Sequence, residues 1–540
     1  MLKIKRSGNG RFCTIAGPEM NQQFIFKIDK LLSDSVKGCE YSQKYKLGLW
    51  DGKFHLFRWY EDSNVGYFPA GALPDVISLI KLHNYQFEFE NITVATEKCD
   101  FQWKSNKQLY DYQKTIINDV MVSYGGNAVI EMPTGSGKTL SALAYVTMVN
   151  LPFIVLVHRA ELLHQWKKEI SEILGEEPVI IGDSASMKKC IAEIKRDHKA
   201  KLAEINEQRV NDGLKKLKLS EYPLELPEVI DTVEKAEEAF KTARCCVAMV
   251  QTLHSWVKDR NRKHLRTINF PVMIVDECHV TPADTVYDVV YKSNCKFCLG
   301  MSATVGRNDG REKYITSIIG PVIKSIDIST LVDRGILAKP EFRLLIPNIP
   351  YGYTYKFAYY DKPTYATVYR DCIVGNIARN EMIAWQAKKL MAEGRQVYIH
   401  VSQIDHGEIL NSMIPDSVVV FGTTKERRQI IEDYTNGKIR CLISTLLKEG
   451  VNIPSIDGLI YAAGGKSEIS TIQTIGRAMR KKDDGRNAIV IDIHDTVECY
   501  LSEHSQQREM TYIKVYGKLY NPTYIKQLEM EDELGMKVNV

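Results

Sequence analysis

The chain has no run of about 18 apolar residues, which excludes a membrane-spanning helix of ordinary length. Its opening "MLKIKRSGNGRF" is basic but lacks an apolar segment behind it, so a secretory signal is not expected. Charge of one sign is also missing: 71 basic residues stand against 67 acidic ones, a formal net charge of +4. A nucleic-acid surface, if there is one, must therefore come from local clustering rather than from the total. One C-x-x-C, Cys295 and Cys298, stands without a second pair at zinc-site spacing, so an apolar strand entering a loop explains it. The twelve cysteines are scattered, several inside apolar runs such as "ARCCVAMV", as expected of buried thiols in a reducing, cytoplasmic compartment. Internal repeats and low-complexity tracts are absent.

What is present is a rhythm. Short apolar runs recur along 540 residues, enough for roughly three or four domains. "NAVIEM", "FIVLVH" and "VMIVDE", then "QVYIHV", "SVVVFG", "RCLIST", "GLIYAA" and "NAIVIDI", alternate with amphipathic helical stretches. Strands that are apolar throughout belong to sheets covered on both faces, so the fold class is parallel α/β with two such sheets. The expected layout is a first sheet domain over 101–328, a second over 329–500 and a helical extension over 501–540. Residues 1–100 form a small α+β domain, with strands at "FIFKI", "KFHLFRWY" and "YQFEFE" and a helix at "PDVISLIKLHN". A charged block over about 185–243 keeps narrow apolar stripes on either side of "YPLELPE" and is predicted to be a helical hairpin.

"EMPTGSGKTL" follows a strand and opens a helix, the context a phosphate-binding loop requires. Pro133, Thr134, Gly135, Ser136 and Gly137, with Lys138 and Thr139, are the candidate ATP-binding set. The glycines let backbone N–H groups converge on phosphates at the helix N-terminus, Lys138 reaches the β and γ phosphates, and the Thr139 hydroxyl suits Mg²⁺. Met132 stands where the strict motif has its first glycine. Asp276 and Glu277, ending "VMIVDE", are the expected partners: Asp276 for Mg²⁺ and Glu277 to take the proton of the attacking water. Cys278 and His279 carry no role of their own in this reading. Far downstream, "IQTIGRAMR" sets Arg477 and Arg480 three residues apart, one helix face, behind Gln473.

The order of these segments resembles the superfamily 2 helicases. "LYDYQKTII" is similar to the adenine-recognising Q motif, with Gln113; "MPTGSGKT", "VHRAELLHQW", "VQTLHS", "DECH", "MSAT", "STLLKEGVNIP" and "QTIGRAMR" follow in family order. Motif V departs from the family, with Asn452 where an acid is usual. Within the superfamily the chain looks most like the phage UvsW-type helicases. "KYKLGLWDGKFHLF" resembles their N-terminal domain, and "REMTYIKVYGKLYNPTYIKQLE" resembles their closing segment; the block at 185–243 has no family counterpart.

The resemblance implies two RecA-like motor domains with ATP and Mg²⁺ between them, Gln473, Arg477 and Arg480 reaching the γ-phosphate from the second. It implies DNA as the track, touched by Arg159, Thr252, Ser402 and Thr445, with Ser302 and Thr304 coupling the two sites. Lys44, Lys46, Trp50 and Lys53, basic and aromatic residues interleaved, are candidates for DNA contact in the N-terminal domain. The implied function is an ATP-dependent DNA helicase that unwinds or branch-migrates forked and junction DNA in recombination, repair and fork processing. It is expected to act as a monomer, in the host cytoplasm if phage-encoded. The alternatives are the motor of a restriction complex, for which no nuclease or methyltransferase pattern is visible here, and an ATP-gated nucleic-acid binding protein that never unwinds.

Overall fold

The computed structural model describes residues 1–8, 10–36, 38–91, 97–224, 226–259, 265, 267–279, 283–303, 311–354, 362–422, 424, 426–445, 456–482 and 484–534. Thr304, Asn452 and most of the "STLLKEGVNIP" segment lie outside that set. The chain divides into two compact units: Met1–Met132 with Gly137–Ser325, and Ile326–Val540 with Pro133–Ser136.

The first unit is built on eight strands, all parallel, in the order 229–230, 179–181, 245–249, 153–157, 272–275, 297–302, 127–131, 322–324. The four strands that position the site, 127–131, 153–157, 272–275 and 297–302, are buried along almost their whole length. That is why they read as unbroken apolar runs rather than alternating ones.

The small N-terminal sheet, in the order 58–60, 65–69, 12–16, 2–6, 87–91, is antiparallel except for its last pair. The segment "FIFKI", expected as a strand, belongs instead to the helix Gln22–Leu31. Asn21 caps its start, and Phe24 and Ile28, four apart, are its buried face. The β-branched and aromatic residues favour a strand locally, but the helical period of the buried pair decides the structure.

This small sheet is tied to the first parallel sheet by a buried guanidinium. Arg11, 1% exposed, donates from Nη2 to Asn127 Oδ1 (2.8 Å) and the Lys296 carbonyl (3.2 Å), and from Nη1 to the Ile318 carbonyl (3.2 Å). Gly71 lies so close to the helix Glu312–Ile319 that a Cβ there would sit 2.5 Å from the Ser317 carbonyl oxygen.

The charged block is not the expected hairpin of two helices. It is one helix, Ser184–Asn211, capped by Asp183 and about 42 Å long at 1.5 Å per residue. The return is mostly irregular chain, which ends in the strand Val229–Ile230 at the sheet edge and the helix Val233–Thr242. Val233, Ala236 and Phe240 of that last helix enter the core of the first sheet. The helical spacing of Val233, Ala236 and Phe240 belongs to the domain rather than to the arm, and Val229, expected on the same helix, lies in the edge strand.

The second unit has seven parallel strands in the order 417–420, 441–444, 397–400, 458–461, 488–493, 340–346, 523–526. Its last strand comes from the closing segment, expected to be helical throughout. The segment gives the helices Leu501–Tyr516 and Gln527–Glu533, with an edge strand between them. A buried ion pair fastens it, Arg508 Nε to Asp492 Oδ2 at 2.8 Å; a second, Arg379 Nε to Asp495 Oδ1 at 2.8 Å, lies within the body of the unit. Among the described residues no helix is long and apolar enough to cross a membrane.

Candidate nucleotide site

In an open parallel sheet, loops at the carboxyl ends of the strands carry the chemistry. Strand 127–131 ends in Met132, which is buried, with its N–H bonded to the Ser302 carbonyl (2.9 Å) of the neighbouring strand. A glycine there would leave that space empty, so methionine at the motif's first position serves packing. The chain then turns through Gly135 (φ +84°) and Gly137 (φ +82°) into the helix Lys138–Val149. Gly137 is the N-cap, and its left-handed φ, together with a Cβ position only 2.4 Å from Gln113 Nε2, favours glycine there. Ser136 is buried, its hydroxyl donating to the Pro133 carbonyl at 2.7 Å, which braces the turn.

Gln113 is fully buried. Its Oε1 accepts the Tyr110 N–H (2.8 Å) and its Nε2 donates to the Gly137 carbonyl (3.3 Å). The glutamine that the Q motif assigns to adenine thus joins its own helix start to the phosphate loop. Thr139 lies one residue into the helix, half-buried.

The acids sit two strands away. Lys138 Nζ lies 3.3 Å from Glu277 Oε1. Glu277 has φ +46°, a left-handed conformation that a glutamate adopts only at a cost of about 1–3 kcal/mol. Burial works to raise its carboxyl pKa, but Lys138 and His279 outweigh it and hold the group below the usual carboxylate value. Asp276 goes the other way: burial, then the adjacent Glu277 charge, raise it, while the Trp166 indole N–H (2.9 Å to Oδ2) and Lys138 oppose that. Glu277 Oε2 is buried and accepts no hydrogen bond among the described residues.

Two residues without an expected role belong to this cluster. Trp166, buried on the helix Ala160–Leu174, fixes the Asp276 carboxylate. His279, read as bland, lies 3.5 Å from Glu277 Oε2 and shares a 2.6 Å hydrogen bond with Ser302 Oγ. It thereby joins the acidic strand end to "MSAT", through the side chain expected to couple the sites. The only sequence signal was position, a histidine two residues past the glutamate and a tryptophan at the end of "VHRAELLHQW". His158 lies in the same pocket of charge, its pKa lowered to about 4 by burial and by Arg159.

In the second unit, Gln473 and Arg477 lie four apart on the helix Glu468–Ala478, both half-buried between fully buried neighbours. Arg480 is past the helix end, in an isolated antiparallel bridge with Leu337, so the expected single helical face covers Arg477 but not Arg480. Burial pulls the Arg480 guanidinium below its ordinary pKa.

The candidate DNA residues are scattered. Arg159 is the half-buried N-cap of the helix Ala160–Leu174. Thr252 is buried, and its hydroxyl accepts the Asp183 N–H (3.1 Å), which makes it a brace for the long helix rather than an open contact. Ser402 is exposed, and Thr445 is half-buried after the strand 441–444. Lys44, Lys46 and Lys53 are exposed; Trp50 is half-buried, its indole N–H bonded to the Lys53 carbonyl at 2.6 Å.

Comparison with known proteins agrees with this division. The family described as type III restriction enzyme, res subunit, matches residues 106–307, and the helicase conserved C-terminal domain matches residues 382–482. Putative helicase 22 of Sulfolobus islandicus filamentous virus is 27% identical over 417 residues, 73% of this chain and 65% of that protein. The ATP-dependent DNA helicase uvsW of Enterobacteria phage T4 is 21% identical over 504 residues, 88% of this chain and 86% of that one. Among solved structures, the DNA-bound type ISP restriction-modification enzyme LlaBIII shares the fold at a TM-score of 0.52 and 13% identity, over 86% of this chain and 36% of that one. With the res-subunit family matched over the first parallel sheet, the helicase C-terminal family over the second and the motifs in their order, the chain carries the domains of a superfamily 2 helicase.

Proposed function

We propose that the chain is an ATP-dependent DNA helicase or translocase acting on forked and junction DNA in recombination, repair and fork processing. The observation that carries the ATPase part is the Lys138–Glu277 ion pair at the carboxyl ends of one parallel sheet, beside a glycine-capped helix N-terminus. Without nucleotide the lysine and the glutamate satisfy each other. When phosphates arrive, Lys138 turns to them, and the released Glu277 carboxylate is placed to accept the proton of an attacking water. The backbone N–H groups around Gly135 and Gly137 hold the phosphates meanwhile.

The donors suit Mg²⁺, which takes hard oxygen ligands. The Thr139 hydroxyl and the Asp276 carboxylate would hold it, and Glu277 Oε2, buried and accepting no hydrogen bond among the described residues, is acceptor capacity in the same place. An ion held by these groups would supply positive charge to the phosphates. Arg477 and Arg480 are proposed to stabilise the transferring phosphoryl group, a planar forked contact that lysine cannot make. DNA as the track rests on the family and on exposed Lys44, Lys46, Lys53 and Ser402; the contacts are mostly to phosphates and so independent of sequence. Action as a monomer in the cytoplasm is part of the same reading.

ATP turnover measured with single-stranded DNA, duplex, fork, four-way junction and RNA tests the proposal, and strand displacement on the fork separates a helicase from an ATP-gated binder. A second reading, the motor of a restriction complex, is favoured by the res-subunit match at 106–307. Strand displacement by the purified chain alone would count against it.

A further inference from the structure

Residues 41–53 of the N-terminal domain carry an apolar apex that no described residue covers. Tyr41, Leu47 and Leu49 are 78%, 71% and 76% exposed, and Tyr45 is exposed beside them. Leucines at such exposure, clustered on one short turn, mark an interaction site. The turn is rigidly made. The helical turn Gln43–Lys46 ends in Gly48 (φ +67°), whose N–H bonds to the Tyr45 carbonyl (3.0 Å) while the Leu49 N–H bonds to the Lys44 carbonyl (2.9 Å). This is the Schellman pattern, which normally buries a hydrophobic contact across the helix end. Here its two leucines point to solvent instead.

The base of this knuckle is fastened to the motor. The ribbon Ser33–Ser35 with Lys53–His55 carries it. His55 bridges Asp29 (2.9 Å) and Asp51 (3.0 Å), and the Trp50 indole locks the turn to Lys53. Phe54 packs edge-on against Tyr314 at 5.2 Å, and Lys313 Nζ donates to the Leu31 carbonyl at 3.0 Å. Both partners lie on the helix Glu312–Ile319 of the first sheet domain, so the knuckle moves with that domain.

The charge around the apex selects its occupant. From Tyr41 to Lys53 the charged residues are Lys44, Lys46 and Lys53 against Asp51 alone, and Asp51 already accepts from His55. Exposed lysines around an apolar tip complement phosphates on either side of a base pair, as in proteins that push apolar side chains between bases. We infer that Leu47 and Leu49 form a wedge that seats on the terminal base pair at the branch point of forked DNA. The lysines hold the flanking phosphates, and Trp50 braces the wedge rather than stacking. This rests on the DNA reading above.

The test is a fork with 2-aminopurine in the branch-point pair, bound without ATP by wild type and by Leu47→Ala/Leu49→Ala. Wild type is expected to raise the fluorescence and the double variant to leave it flat. The variant should keep ATP turnover stimulated by single-stranded DNA within about twofold, while its strand displacement on forks falls roughly tenfold or more. A variant that keeps both the fluorescence change and fork unwinding overturns the wedge. So does one that changes only the oligomeric state, since the apex would then bind a second copy of the chain. Wild type that responds to no DNA in either assay defeats the DNA reading itself, a result the first two outcomes do not resemble.

Discussion

Lys138 and Glu277 hold each other at 3.3 Å, and the proposed function gives each a different task once nucleotide binds. Lys138→Ala should abolish ATP hydrolysis and weaken nucleotide binding, read by turnover and by a fluorescent ATP analogue. Arg480→Ala should separate the two: binding largely kept, turnover lowered by roughly 10³ to 10⁵, as for other guanidinium contacts to a transferring phosphoryl group. Trp166→Phe removes the one indole donor to Asp276 while keeping the ring. It should slow hydrolysis and cost about 1.5–3 kcal/mol of stability, the range for a hydrogen bond to a charged group, seen as a lowered Tm. At this scale the sequence was most legible where chemistry fixes residue type, as in Gly137, Lys138, Asp276 and Glu277. It was least legible where a side chain acts through another, because position beside a motif is all that marks Trp166 and His279, and it says nothing of what they touch.

The elements repeat that contrast. The buried strands were plain, since a sheet covered on both faces demands apolar runs. The helix Gln22–Leu31 was hidden behind β-favouring residues, and the edge strand Thr523–Lys526 behind a segment of mixed polarity. The helix Leu501–Tyr516 ahead of that strand is held by a buried pair. Burial works against the Arg508 charge, but Asp492 outweighs it and raises the pKa. Arg508→Ala leaves Asp492 buried with Tyr512 as its other side-chain donor (2.7 Å), and should cost about 3–5 kcal/mol, read as a lowered Tm.

Acid should loosen the same unit. Burial, then Arg379, hold the His406 pKa at about 3, against an ordinary value of 6.5. Between those values the unfolded chain binds the proton more tightly, so His406 puts no penalty on the fold above about pH 6.5 and a growing one as pH falls toward 3. His406→Asn should flatten part of the fall in Tm between pH 6.5 and 4. The long helix Ser184–Asn211 calls for a cut that respects the sheet: removing 199–221 spares Val229–Ile230 and the buried face of Val233–Thr242, whereas removing all of 185–243 takes part of the core.

For the whole molecule, two parallel sheets in tandem were readable from the alternation of runs and helices, and the order of motifs gave the superfamily. The N-terminal domain's docking through Arg11 and the apolar apex at Leu47 and Leu49 were not, because both depend on what surrounds a residue in space. An arginine near a chain start looks like surface, and leucines beside a tryptophan look like core. The central claim is that ATP hydrolysis at Lys138 and Glu277 is harnessed to DNA. Steady-state ATP turnover by the full chain, with and without forked DNA and with Lys138→Ala as the control, tests it most directly. Turnover should rise on adding the fork and vanish in the variant; turnover that is indifferent to DNA, or that survives without Lys138, would contradict a DNA-coupled motor at this site.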